Sequence, residues 1–141
     1  LGGAVAIMTA AERSDIKAVV ADTAFSNMEE EATHVLTRVY HLPRFPFLSL
    51  GKLAYRLMFG FGLEDISPMS AIGRLRGRPI LLIAGVGDET IPDAHAGYLY
   101  EAAGQPKELW LIQGADHGGT LSAAGPEYEE RVGKFFSQAL K

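Results

Sequence analysis

The sequence predicts an α/β domain, a parallel sheet of about three strands joined by crossover helices. Three observations lead there. Apolar runs too short for helices recur at 16–21 (IKAVVA), 79–84 (PILLIA) and 108–112 (ELWLI). The segments around them place apolar residues at helical spacing. The two patterns alternate, and strands buried on both faces must be linked by helices that pack back over the sheet.

Residues 1–13 read as a helix because Ala4, Ile7, Met8 and Ala11 fall on one face. The strand at 16–21 follows, and residues 22–25 turn the chain. Ser26 is the expected N-cap of the next helix, with Glu29 three residues on completing a capping box, and that helix should reach about Tyr40. Pro43 and Pro46 break it. Leu50, Leu53, Ala54, Leu57, Met58 and Phe61 then mark an amphipathic helix whose apolar face must cover something, while Lys52 and Arg56 lie off that stripe. A short helix at 68–73 precedes the second strand. Arg74, Arg76 and Arg78 before that strand read as a solvated loop. Pro92 opens a helix to about Ala103, and Gly104 and Pro106 end it. After the third strand, Pro126 opens a last helix that turns Tyr128, Val132, Phe135 and Phe136 inward. The first strand has no upstream neighbour in this sequence, so an open edge and self-association through it are expected.

Composition narrows the function classes. A chain of 141 residues, 48% hydrophobic and 21% charged, fits one globular domain and not a disordered one. Its apolar runs fall well short of the roughly 18–20 residues a membrane span needs, so no membrane partner is expected. The net charge is −4 with both signs interspersed, and no basic stripe points to nucleic acid. There is no cysteine, which excludes disulfides, thiolate metal sites and thiol nucleophiles and is compatible with the cytoplasm.

In open parallel sheets ligands bind beyond the carboxyl ends of the strands. Asp22 follows the first strand, GVGDETIP with Asp88 the second, and GADHGG with His117 the third. A histidine on such a rim acts as a general base when a carboxylate fixes its tautomer. His117 follows Asp88 by 29 residues, the length of one strand–helix–strand unit, which permits a hydrogen bond between them. Asp22 remains the rival acid, with a turn-holding role as its alternative, and Asp116 reads as a turn residue. His34, His41 and His95 are not at strand ends and read as surface or capping residues. Gly85-Val86-Gly87 has the start of a dinucleotide fingerprint, but Thr90 replaces its third glycine and Asp88 opposes a pyrophosphate. Leu1-Gly2-Gly3, leading into an apolar helix, matches the second half of the nucleophile elbow G-x-S-x-G.

With these motifs in this order, the chain resembles the C-terminal part of α/β hydrolases, most of all bacterial prolyl-oligopeptidase-like peptidases and esterases. LGGAVAI, ADTAF, SPMSAIGRLRGRPILLIAGVGDETIP, KELWLIQGADH and PEYEERVGKFF carry the likeness. It covers most of the chain and is weakest over 33–62, where a cap or lid is expected, so the chain is read as one incomplete domain, 1–141, with a helical lid-like insertion at 26–66. The resemblance implies a serine hydrolase cleaving a small ester or amide. Asp88 would be the triad acid, His117 the base, Leu1 an oxyanion-hole amide, and Gly2 and Gly3 the elbow glycines. The nucleophilic serine would directly precede Leu1. No metal and no cofactor are called for. Ser14, Ser26, Ser49, Ser67, Ser70, Ser122 and Ser137 all lack the elbow's flanking glycines. The alternative reading is therefore a non-catalytic fragment or assembly partner.

Overall fold

A computed structural model describes all residues, 1–141. Helix α1 (Gly2–Glu12) buries Ala4, Ile7 and Ala10 and leads to strand β1 (Val19–Asp22). Strands β2 (Ile80–Val86) and β3 (Lys107–Gln113) complete a fully parallel sheet in the order β1-β2-β3. Asp22 pairs with Ile83, and Val86 pairs with Gln113, so all three strands end on one rim. β1 starts three residues later than the apolar run and continues through Asp22.

Strand periodicity divides the core between two faces. Ile80 and Leu82 meet Ile7, Ile72 and Leu99 on one side. These come from α1, from α4 (Pro68–Ile72) and from α5 (Ala94–Ala102). Leu81 and Ile83 meet Trp110, Ile112 and Phe135 on the other, under α7 (Pro126–Ala139). β2 is buried throughout because it is central and covered on both faces. A short helix α6 (Thr120–Ala124), unmarked by any periodicity, separates β3 from α7.

Three expectations need correction. The N-cap of α2 (Met28–His34) is Asn27, which accepts from the amides of Glu29 and Glu30; Ser26 points into the core instead. α2 does not run to Tyr40 as one α-helix but passes into a π-helical turn at Val35–Val39. Arg78 is no solvated loop residue. Its guanidinium donates to the carbonyls of Ala10, Arg13 and Ile16, closing the end of α1 and the approach to β1, and Arg74 pairs with Glu12 at 2.6 Å.

Helix α3 (Arg44–Phe59) buries no residue at all. Its apolar face does not cover the sheet of this chain: Leu50, Leu53, Leu57 and Met58 are exposed. The charged side is the one that docks: Lys52 lies 2.8 Å from Glu29 of α2 and 3.5 Å from Glu64. The helix is thus anchored by its ion pairs and presents its apolar stripe outward. No helix of the chain is long and apolar enough to cross a membrane.

Candidate active site

β2 delivers Asp88 to the rim two residues past its end, and β3 delivers His117 four residues past its own. The Asp88 side chain has no exposed surface. Its Oδ1 accepts the amides of Thr90 at 2.9 Å and Ile91 at 2.8 Å, which is an Asx-type turn that also shapes the loop. Its Oδ2 faces His117 Nδ1 at 3.0 Å. A carboxylate oxygen accepts, so Nδ1 is the donor of this pair, and in the neutral imidazole Nε2 keeps its lone pair. The His117 side chain is 46% exposed, and Nε2 has no partner within the chain. A buried acid, an oriented imidazole and an open nitrogen are what a general base requires.

The two loops meet because Gly85 has no side chain. A Cβ there would stand 2.9 Å from the carbonyl carbon of Ala115 and 3.0 Å from its Cβ, and closer still to its oxygen. Gly114 and Gly118, at φ 71° and 77°, bend the chain on either side of His117. Asp116 serves the turn, its carbonyl accepting from Gly119 N–H at 3.0 Å.

Asp22 does not take the acid's place beside His117. Its Oδ2 accepts from Thr120 Oγ1 at 2.6 Å and from Tyr128 Oη at 2.8 Å, and its Oδ1 from Thr23 Oγ1. Burial, then the bond to Asp22, raises the Tyr128 phenol well above its ordinary pKa. These contacts tie the segment after His117, and α7 with it, to the end of β1. They reach well beyond the local turn role weighed for Asp22. An open cleft of about 360 Å³ brings Leu1, Asp22, Thr23, His117, Thr120, Leu121 and Tyr128 together. Leu1, the N-cap of α1, is in its wall. Behind it Gly3 permits a close approach: a Cβ would lie 2.7 Å from the carbonyl oxygen of Asp22 and 3.1 Å from Ala24 Cβ. At Gly2 a Cβ would meet nothing within 4 Å, so within this chain the steric demand falls on Gly3. Thr23 sits in the left-handed region at φ 48°, a strain of roughly 1–2 kcal/mol for a β-branched residue.

A second polar cluster lies beneath the Asp88 loop. His95, expected at the surface, is 7% exposed. Its Nδ1 accepts the Ser26 amide at 3.3 Å and stands 2.8 Å from Ser26 Oγ. An amide only donates, so the imidazole is neutral with its proton on Nε2, and burial lowers its pKa accordingly. Nε2 approaches Glu31 Oε2 at 3.5 Å, too long to count as a hydrogen bond, and that oxygen is buried without a partner. Burial raises the Glu31 pKa. The signal for an inward His95 was available, since Leu99 lies four residues on along the same helix face. His34 and His41 do remain outside the core, with His34 Nε2 2.7 Å from the Glu89 carbonyl.

No family model matches the chain. Among curated proteins it is similar to the uncharacterized protein YqkD of Bacillus subtilis, 27% identical over 116 residues, covering 82% of this chain and 38% of that protein. The uncharacterized protein YfhR of Escherichia coli K12 is 34% identical over 98 residues, covering 67% of this chain and 34% of that protein. The chain thus spans less than half the length of these relatives. Among solved structures, the esterase domain of a Rhodothermus marinus protein superposes with a TM-score of 0.71 at 22% identity, over 99% of this chain and 57% of that one. An esterase of Pyrococcus furiosus gives 0.72 at 20% identity, over 99% and 51%. The acylaminoacyl peptidase of Pyrococcus horikoshii gives 0.67 at 16% identity, over 99% and 23%. The chain carries the C-terminal part of an α/β-hydrolase fold.

In this α/β-hydrolase fold, five of the residues singled out by sequence share one rim: Leu1, Gly3, Asp22, Asp88 and His117. Thr120, Tyr128, Ser26 and His95 are the partners that sequence reasoning missed, because hydrogen bonds across 69 to 106 residues leave no local pattern.

Proposed function

We propose that this chain belongs to a serine hydrolase that cleaves esters or amides, with a serine directly before Leu1 as nucleophile. Its Oγ attacks the substrate carbonyl while His117 Nε2 takes the proton, Asp88 holds the imidazole through Nδ1, and the Leu1 amide donates to the developing oxyanion. The protonated His117 then returns the proton to the leaving alcohol or amine. Water repeats the sequence on the acyl-enzyme and releases the acid. The observation that carries this reading is the 3.0 Å contact between a fully buried carboxylate and an imidazole whose other nitrogen is free on the rim. The segment 26–66 is read as a lid, supported by the outward apolar stripe of α3, which suits an acyl chain or the upstream part of the protein.

The test uses the protein extended by the coding sequence that precedes Leu1, assayed on p-nitrophenyl esters. Loss of the imidazole in His117→Ala is expected to lower kcat by about 10⁶-fold, and loss of tautomer control in Asp88→Asn by about 10⁴-fold. Full turnover in either variant refutes the assignment.

A second reading applies to the 141 residues by themselves. No serine lines the cleft, and Ser26, the one serine bonded to a histidine, is fully buried. A fluorophosphonate probe is therefore expected to leave this chain unlabelled, and covalent capture at any internal serine overturns the point. The β1 edge, flanked by Val5, Ile16, Val20 and Phe136, is proposed to mediate self-association of the chain, and a monomer by light scattering at high concentration counts against it.

A further inference from the structure

We propose that His95 and Ser26 are positioning residues that hold the Asp88 loop against His117, with the Nδ1 lone pair of His95 as the critical group. This rests on the reading of Asp88 and His117 as acid and base.

The connection from Ser26 to Asp88 is unbroken. Ser26 has no exposed surface, and its carbonyl accepts from the Met69 amide at 3.0 Å, so it is a fixed point. Its own amide and hydroxyl both face His95 Nδ1. The His95 amide donates to the Pro92 carbonyl at 3.0 Å. Next to Pro92, Ile91 is buried against Ala4 and Phe25. The Ile91 amide, finally, is one of the two that grip Asp88 Oδ1. His117 is held from elsewhere, since Thr120, three residues beyond it, donates to Asp22. Base and acid therefore hang from separate anchors, Asp22 and Ser26, and both anchors belong to the end of β1 and the turn that follows. Their 3.0 Å contact is only as constant as those two anchorages.

The chemistry at His95 is specific. The group needed is an acceptor lone pair close to the backbone. Asparagine places its Oδ1 near the position of a histidine Nδ1, whereas leucine fills similar space with no acceptor. If the lone pair matters, Asn replaces His95 and Leu does not. A purely space-filling role predicts the reverse.

The experiment measures p-nitrophenyl butyrate hydrolysis by the upstream-extended protein and, in parallel, the ¹⁵N shifts of the His117 imidazole. His95→Leu is expected to lower kcat by about tenfold, for a loop displacement of about half an ångström, with KM held within about twofold. The His117 tautomer should drift from Nδ1–H toward the Nε2–H form preferred in water. His95→Asn should restore both readouts to within about twofold. Unchanged kcat and tautomer in His95→Leu overturn the proposal, as does a His95→Asn variant no better than His95→Leu. Where His95→Leu does not fold, Ser26→Ala decides: a shifted His117 tautomer supports the tether and a wild-type spectrum refutes it. If His117→Ala retains activity, the catalytic reading fails, yet the tautomer shift still reports on the tether.

Discussion

Gly85→Ala is the substitution that most directly links packing to the site. The added methyl would sit 2.9 Å from the Ala115 carbonyl carbon and 3.0 Å from Ala115 Cβ, where ordinary contacts lie at 3.4–4 Å. The neighbour is backbone in a turn between β3 and His117, so no flexible side-chain end can swing away. The loops must separate by at least half an ångström. Overpacking of this kind costs about 1–3 kcal/mol. Restricting the unfolded chain returns about 0.4–1 kcal/mol. The clash wins by roughly 1–2 kcal/mol, and the Tm of the chain should fall by about 4–8 °C. The displacement falls on the Asp88–His117 contact, so kcat of the extended protein should drop by about 10- to 100-fold, more than the stability loss alone explains. Calorimetry and p-nitrophenyl ester kinetics below the transition check the two parts. A variant with unchanged Tm and unchanged kcat refutes the reasoning, because it means the loops need no such close approach.

Glu31→Gln should stabilise the protein by about 1 kcal/mol at pH 7, since it removes the negative charge from a buried carboxylate, one oxygen of which has no partner. Because the folded-state pKa of Glu31 is raised, its favourable contribution is present below about pH 4.5 and is lost as pH rises through the folded value. The advantage of the variant must therefore vanish under acid, and an equal gain at pH 4 and pH 7 sinks the explanation. His95 acts in the opposite sense. With its folded pKa lowered, its contribution is present above about pH 6.5 and lost as pH falls through the folded value, so His95→Asn should flatten stability across that window in urea titrations. Arg78→Met should cost about 2–4 kcal/mol in denaturant unfolding by abandoning three carbonyls between the end of α1 and the approach to β1; a loss below about 0.5 kcal/mol contradicts the clasp. Tyr128→Phe should cost about 1.5–3 kcal/mol by removing a hydroxyl donor from Asp22, and an unshifted Tm contradicts that estimate.

Local signals were sufficient for much of this protein. The alternation of short apolar runs with helical periodicity specified strand and helix order, because both periods follow from backbone geometry. Loops at the ends of parallel strands share a rim, so the spacing permitted an Asp88–His117 contact but left Asp22 as a rival acid, which the structure binds to Thr120 and Tyr128 instead. What the sequence could not decide is where polar groups end their search for partners. Ser26 has the chemistry of an N-cap and is used in the core, while Asn27 caps the helix. His95 looks like a surface residue and accepts from a residue 69 positions away. The stripe on α3 looks like a core face and points outward, because Lys52 finds Glu29 and Glu64 on the other side. Periodicity is a property of neighbours along the chain. Satisfaction of a buried donor or acceptor depends on whichever group the tertiary fold brings within about 3 Å, and only the assembled structure determines that.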